Sequence, residues 1–136
     1  MKILRFAINK KIRYGVLEGD RISVMLGTPY SSSFRLIEST YRLEEVRLLA
    51  PCLPSKIVAL GLNYRSHAEE TKLPIPSVLR IFLKPSTAVI GPEDQIVYPE
   101  VSKRVDYEGE LAVVMGRKAK AVGRARAEEY ILGYTC

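Results

Sequence analysis

Val105-Asp106-Tyr107-Glu108-Gly109-Glu110-Leu111-Ala112-Val113-Val114-Met115-Gly116 is the stretch on which the reading of this chain turns. It reads as one strand, Val105 to Met115, closed by Gly116. Side chains alternate faces along a strand, so Asp106, Glu108 and Glu110 would share one face. Three carboxylates side by side repel each other unless they are solvated or share a cation. Apolar Val105 and Leu111 to Val114 flank them and argue for a partly buried strand. Oxygen donors of this kind suit hard cations such as Mg²⁺, Mn²⁺ or Ca²⁺ rather than zinc. A solvated acidic face at a sheet edge accounts for the same spacing equally well.

Outward from that stretch the chain reads as mostly β, in an α+β class. Residues 2–26 form a small meander: Ile3 to Ile8, Ile12 to Leu17 and Arg21 to Leu26, with turns at Asn9-Lys10-Lys11 and Glu18-Gly19-Asp20. Phe34 to Ser39 reads as a helical turn, and Leu43 to Ala50 is apolar enough to be buried. Pro51-Cys52-Leu53-Pro54 is a stiff linker, because each proline fixes φ and withholds a donor. It divides a small N-terminal β module, residues 1–50, from a second domain, residues 51–136. In the latter, Lys56 to Gly61 reads as a core strand. Asn63 is placed to cap a short helix over Tyr64 to Thr71. Leu79 to Leu83 and Ile96 to Tyr98 read as strands, Gly91 to Asp94 as a turn, and residues 124–130 as helical. Ile131 to Cys136 reads as a strand with no visible partner. A β core of this kind needs further strands to close, so the chain is expected to be the front part of a larger domain.

Composition limits the function classes. The chain has 136 residues, 47% of them apolar and 26% charged, which is normal for a globular domain. No apolar run approaches the roughly 20 residues that a membrane span needs. Two cysteines, Cys52 and Cys136, exclude a disulfide scaffold and leave a reduced, cytoplasmic protein as the expectation. The net charge of +6 is concentrated in residues 1–56, which carry ten Lys/Arg against five Asp/Glu. Those bases are scattered rather than gathered on one face with aromatics, which speaks against a nucleic-acid partner.

Two further groups can carry chemistry. His67, the single histidine, precedes Glu70 by three positions, so the two are neighbours on one helical face. A carboxylate beside an imidazole sets its tautomer and raises its basicity, as a general base needs. Taken alone, such a pair is more often a surface ion pair of little consequence. Lys84, in Phe82-Leu83-Lys84-Pro85, could meet a substrate carboxylate; alone, it reads better as a side chain snorkelling to water.

Taken together, these blocks resemble a known family. Ile57 to Tyr64, followed by His67 and Glu70, is similar to the Asn-Tyr-x-x-His-x-x-Glu signature of the fumarylacetoacetate hydrolase family. Ile81 to Thr87, Val105 to Gly116 and Ile131 to Cys136 resemble its following blocks, in order and spacing. Residues 1–42 resemble the small N-terminal module that many members carry. The resemblance implies a mixed β-roll, with Glu108 and Glu110 as ligands of Mg²⁺ or Mn²⁺. It makes His67 and Glu70 the pair that activates water or moves a proton, and places Lys84 in the pocket. It also implies a homodimer acting on a small oxo acid by carbon–carbon hydrolysis, decarboxylation or keto–enol isomerisation. The family's third acidic ligand belongs to a segment that would follow Cys136. The chain alone is therefore expected to bind metal weakly or not at all. Two other readings stay open: a non-catalytic folding or assembly remnant, and a small basic β protein that binds RNA.

Overall fold

The computed structural model describes residues 1–136. It is mostly β, and every strand pairing is antiparallel. Two compact units are present: Met1–Cys52 with Gly91–Cys136, and Leu53–Ile90.

The first unit is built on a five-stranded sheet. Its strands are β1 (Lys2–Ile8), β2 (Lys11–Glu18), β3 (Arg21–Leu26), β4 (Arg35–Arg42) and β5 (Arg47–Leu49), in the order β4-β3-β2-β1-β5. The meander forms because its two turns suit tight hairpins. Asn9 and Lys10 both take positive φ, 49° and 62°, between the paired residues Ile8 and Lys11. Gly19 takes φ 60° between Glu18 and Arg21. Turns of this hand match the right-handed twist of the strands they join. One face of the sheet buries Phe6, Ile22 and Val24 completely. Leu4, Ile8, Leu17, Ile37, Tyr41, Leu43, Val46 and Leu48 pack around them. Val16 and Met25, of opposite parity along their strands, are buried as well.

Phe34 to Ser39 is not a helical turn; it lies largely within β4. Leu36 pairs with Met25, and Thr40 and Tyr41 pair with Ser23 and Ile22 across a bulge. The Tyr41 ring meets Phe6 edge-on, with centroids 6.0 Å apart. Pairing to an exposed strand edge and burial against Phe6 outweigh a weak local preference.

The remainder of this unit is less regular. At the turn after residue 90, the Gly91 N–H donates to the Asp94 carboxylate at 2.7 Å, and Asp94 pairs with Arg47 at 3.6 Å. A Cβ on Gly91 would lie 3.1 Å from the Ala50 nitrogen, so the close approach favours glycine. Ile96 to Tyr98 is not a strand: no segment pairs with it, and its side chains are exposed. β8 (Ala112–Met115) pairs with β9 (Ile131–Thr135) through a bulge at Val114/Met115. Ile131 to Thr135 therefore has the partner that its sequence does not reveal. Residues 124–130 form a 3₁₀ segment that leads into β9.

The second unit holds β6 (Ile57–Gly61), α1 (Arg65–Glu70) and β7 (Arg80–Lys84), with β6 and β7 forming a two-stranded ribbon. Asn63 does not cap the helix. The capping position is Tyr64, without a side-chain hydrogen bond, and Leu62 just before it takes φ 53°. At the other end the Thr71 hydroxyl donates to the His67 carbonyl at 2.7 Å and helps close the last turn. No helix is long and apolar enough to cross a membrane.

Candidate functional site

His67 and Glu70 are brought together. Both lie on α1, which follows β6 after Leu62, Asn63 and Tyr64. Three residues along a helix return to the same face, and His67 Nδ1 sits 3.6 Å from Glu70 Oε2. Ala68 between them is buried, so this short helix is anchored by one small apolar side chain. The pair itself faces outward, with the imidazole 47% and the carboxylate 80% exposed. At that exposure the ion pair adds little stability. At 3.6 Å the two groups are close neighbours on one helical face rather than hydrogen-bonded partners.

Lys84 ends β7, in the same unit as the pair. Its Nζ lies 5.9 Å from the centroid of Phe82, within the range of a weak cation–π contact.

The acidic stretch departs from the strand reading. Only Ala112 to Met115 is strand; residues 105–111 join no sheet. Asp106, Glu108 and Glu110 are therefore not aligned on one strand face. The cause is the lack of a pairing partner. The β8–β9 register begins at Ala112 opposite Thr135, and no strand pairs with the residues before it. Local bonds take over instead. The Ser102 hydroxyl donates to the Arg104 carbonyl at 2.7 Å, and Arg104 Nε donates to Asp106 Oδ1 at 2.8 Å. Glu108 and Glu110 are exposed. No three His, Cys, Asp or Glu side chains converge in an arrangement that could hold a metal ion. Their oxygen chemistry suits Mg²⁺, Mn²⁺ or Ca²⁺, with water completing the shell, but residues 105–111 join no sheet that would hold the two exposed carboxylates on one ion. The residues present thus do not fit a resident metal.

Two other polar features lie outside these residues. Asp20, Arg42, Leu43 and Glu44 line an open depression on the N-terminal sheet, with Arg42 pairing to Glu44 at 3.2 Å and to Asp20 at 3.6 Å. Burial, followed by the nearby Cys52 and Tyr14, pushes the Tyr30 phenol above its ordinary value. No sequence motif marks Tyr30, because its neighbours come from β2 and from the proline-rich linker. Both cysteines are free thiols.

The model of the fumarylacetoacetate hydrolase C-terminal region matches residues 56–136. The chain belongs to this family. Residues 1–51 match a second model, the Rv2993c-like N-terminal region. Protein Rv2993c of Mycobacterium tuberculosis is 39% identical over 146 aligned positions, covering 99% of this chain and 53% of that protein. The human mitochondrial oxaloacetate tautomerase FAHD2B is 41% identical over 92 residues, covering 67% of this chain and 29% of its own length. The crystal structure of a 5-carboxymethyl-2-hydroxymuconate delta-isomerase from Mycobacterium smegmatis superposes with a TM-score of 0.86 at 39% identity. That match covers 98% of this chain and 52% of that one. The chain spans about half the length, or less, of the relatives it matches. Members of the family are enzymes and generally use divalent metal ions.

Proposed function

We propose that this chain carries the proton-transfer pair of an oxo-acid enzyme and acts by keto–enol interconversion, in preference to carbon–carbon hydrolysis or decarboxylation. The observation that carries the reading is the His67–Glu70 pair at 3.6 Å on a helix within the family-matching region. The tautomerase and isomerase relatives support the choice of reaction.

The imidazole of His67 takes a proton from the carbon next to the keto group. The C–H electron pair becomes the C=C bond, and the carbonyl electrons move onto oxygen. Return of the proton to that oxygen completes the enol. Glu70 compensates the imidazolium that forms in between. Lys84 meets the substrate carboxylate and holds the molecule for that transfer. Because the acidic residues do not form a cation site, no step is assigned to a metal. Glu108 and Glu110 remain the proposed ligands for Mg²⁺, Mn²⁺ or Ca²⁺ only in an arrangement other than the one seen.

The same reading takes residues 1–50 as an accessory β module and 51–136 as catalytic-domain sequence. It expects a homodimer in the cytoplasm, with no membrane or nucleic-acid partner.

The test is ketonisation of enol-oxaloacetate by the full chain, followed by loss of enol absorbance, with millimolar Mg²⁺ present. His67→Ala is expected to lower the rate by about 10²–10⁴-fold, the usual contribution of a positioned base. Glu70→Gln should lower it less. Equal rates for the unaltered chain and His67→Ala overturn the reading.

A further inference from the structure

The face of the β6–β7 ribbon that carries Lys84 carries a second cation. Side chains alternate along a strand, so Arg80, Phe82 and Lys84 project to one side of β7, with Gly61, Ala59 and Ile57 across from them on β6. Neither strand contains an acidic residue. Arg80 is exposed, and its guanidinium makes no ion pair.

The Phe82 ring lies between the two cations. Lys84 Nζ stands 5.9 Å from its centroid. On its other side the ring reaches toward Gly61, the residue paired with Arg80. A Cβ built on Gly61 would sit 4.0 Å from Phe82 Cε1 and 3.5 Å from Arg80 Cβ. These are ordinary contacts, and Gly61 does not take a positive φ. Neither backbone nor packing therefore asks for glycine at this position. What its missing side chain leaves is room beside Arg80 and the ring.

We propose that Arg80 is a specificity-determining residue, which takes a second carboxylate at the end of the oxo acid remote from Lys84. The proposal rests on the reading in which Lys84 meets the first carboxylate. A guanidinium stays charged at every working pH, and its planar fork matches a carboxylate through two parallel hydrogen bonds. With no acid on the ribbon, that charge is left for an anion to meet. Arg80 and Lys84 are four residues apart, about 13 Å between Cα atoms along the strand. Both side chains are long enough to close part of that span over the ring. A diacid several carbons long reaches both cations, whereas a monoacid of the same length engages only one. The exposed face of Phe82 between them receives the carbon chain.

The test titrates the full chain, at low ionic strength, with 2-oxoglutarate and with 2-oxopentanoate, a diacid and a monoacid of equal chain length. Binding is followed by NMR through the Arg80 Nε–H and the Gly61 amide. The diacid is expected to bind about three- to tenfold more tightly, the scale of one exposed but bidentate ion pair. Arg80→Gln should bring the preference below twofold by weakening the diacid alone, and Arg80→Lys should restore part of it. Arg21→Gln removes the same charge from the N-terminal sheet and should keep the full preference. The Ala68 methyl signal, buried in the same unit, checks that each variant is folded. Equal affinities for the two acids in the unaltered chain overturn the proposal, as does a diacid that does not bind. A preference that survives Arg80→Gln, or falls as far in Arg21→Gln, also overturns it. None of these readouts involves turnover, so a failed rate test of His67 and a failed preference at Arg80 are separate results.

Discussion

Gly15 shows how much one missing atom decides. A Cβ built there would lie 2.5 Å from Ile22 Cγ2, 2.8 Å from the Ser23 carbonyl and 3.2 Å from the Phe6 ring. Two of these atoms belong to the innermost side chains of the sheet, and one is backbone, so there is little room to yield. Gly15→Ala is expected to cost about 1–3 kcal/mol, the usual penalty of overpacking, read as a lower urea midpoint at unchanged slope. Phe6→Ala acts in the opposite sense by opening a void in the same place, and should cost about 3–5 kcal/mol. Nothing in the sequence distinguishes Gly15 from a tolerated strand glycine, because the crowding comes from neighbouring strands. The His67–Glu70 pair was legible, since helical spacing alone puts the two side chains together. A different exposed pair gives a titration test. Arg126 donates to Glu129 at 3.1 and 3.0 Å and, with Arg117 adding a smaller attraction, holds the Glu129 carboxyl below its ordinary value. A lowered carboxyl contributes above its unfolded value and loses that contribution as pH falls through its folded one. Arg126→Ala should move the NMR titration midpoint of Glu129 upward; an unmoved midpoint would contradict the assigned cause.

At the scale of elements, pairing separates what could be read from what could not. β1, β2 and β3 were legible because their hairpin turns are short and local. β4 was not: its identity depends on the free edge of β3 and on the Phe6 ring that Tyr41 meets. Residues 105–111 failed in the reverse direction. Alternation promised a strand, but alternation describes only which way side chains would point, and a strand also needs a neighbour for its backbone hydrogen bonds. The same argument predicts exchange rates. Amides in β1, β2 and β3 pair within a five-stranded sheet and sit beside buried side chains. Those of β6 with β7, and β8 with β9, belong to two-stranded ribbons whose apolar residues are exposed or only half-buried. Hydrogen exchange of the chain alone should therefore leave a protected block confined to residues 2–26 and 35–49, with residues 57–61, 80–84 and 112–115 exchanging through local opening. Equal protection across all nine strands would show that the ribbons are stabilised by more than their own pairing.

Across the whole molecule, ordered apolar packing and the proposed functional residues fall in different stretches of the chain. Every fully buried large side chain belongs to β1 or β3, whereas His67, Glu70, Lys84, Glu108 and Glu110 all lie beyond residue 60. That separation bears on metal binding. Mg²⁺ asks for six oxygens in near-octahedral positions and surrenders its waters reluctantly, so its affinity depends on carboxylates being held in place beforehand. Glu108 and Glu110 lie outside any sheet, are exposed to water, and belong to no group of three potential ligands. Ordering that segment would cost backbone entropy of about 1–2 kcal/mol per residue, a cost that must be met before two carboxylates return anything. Isothermal titration of the 136-residue chain with MgCl₂ should therefore give no saturable heat below about 1 mM, the weak end of oxygen-ligand sites. The double variant Glu108→Gln/Glu110→Gln should give the same trace. Stoichiometric binding in the low micromolar range, abolished by those two substitutions, would show that the acidic segment organises itself around the ion, and the strand-like alignment read from the sequence would then describe the metal-bound form.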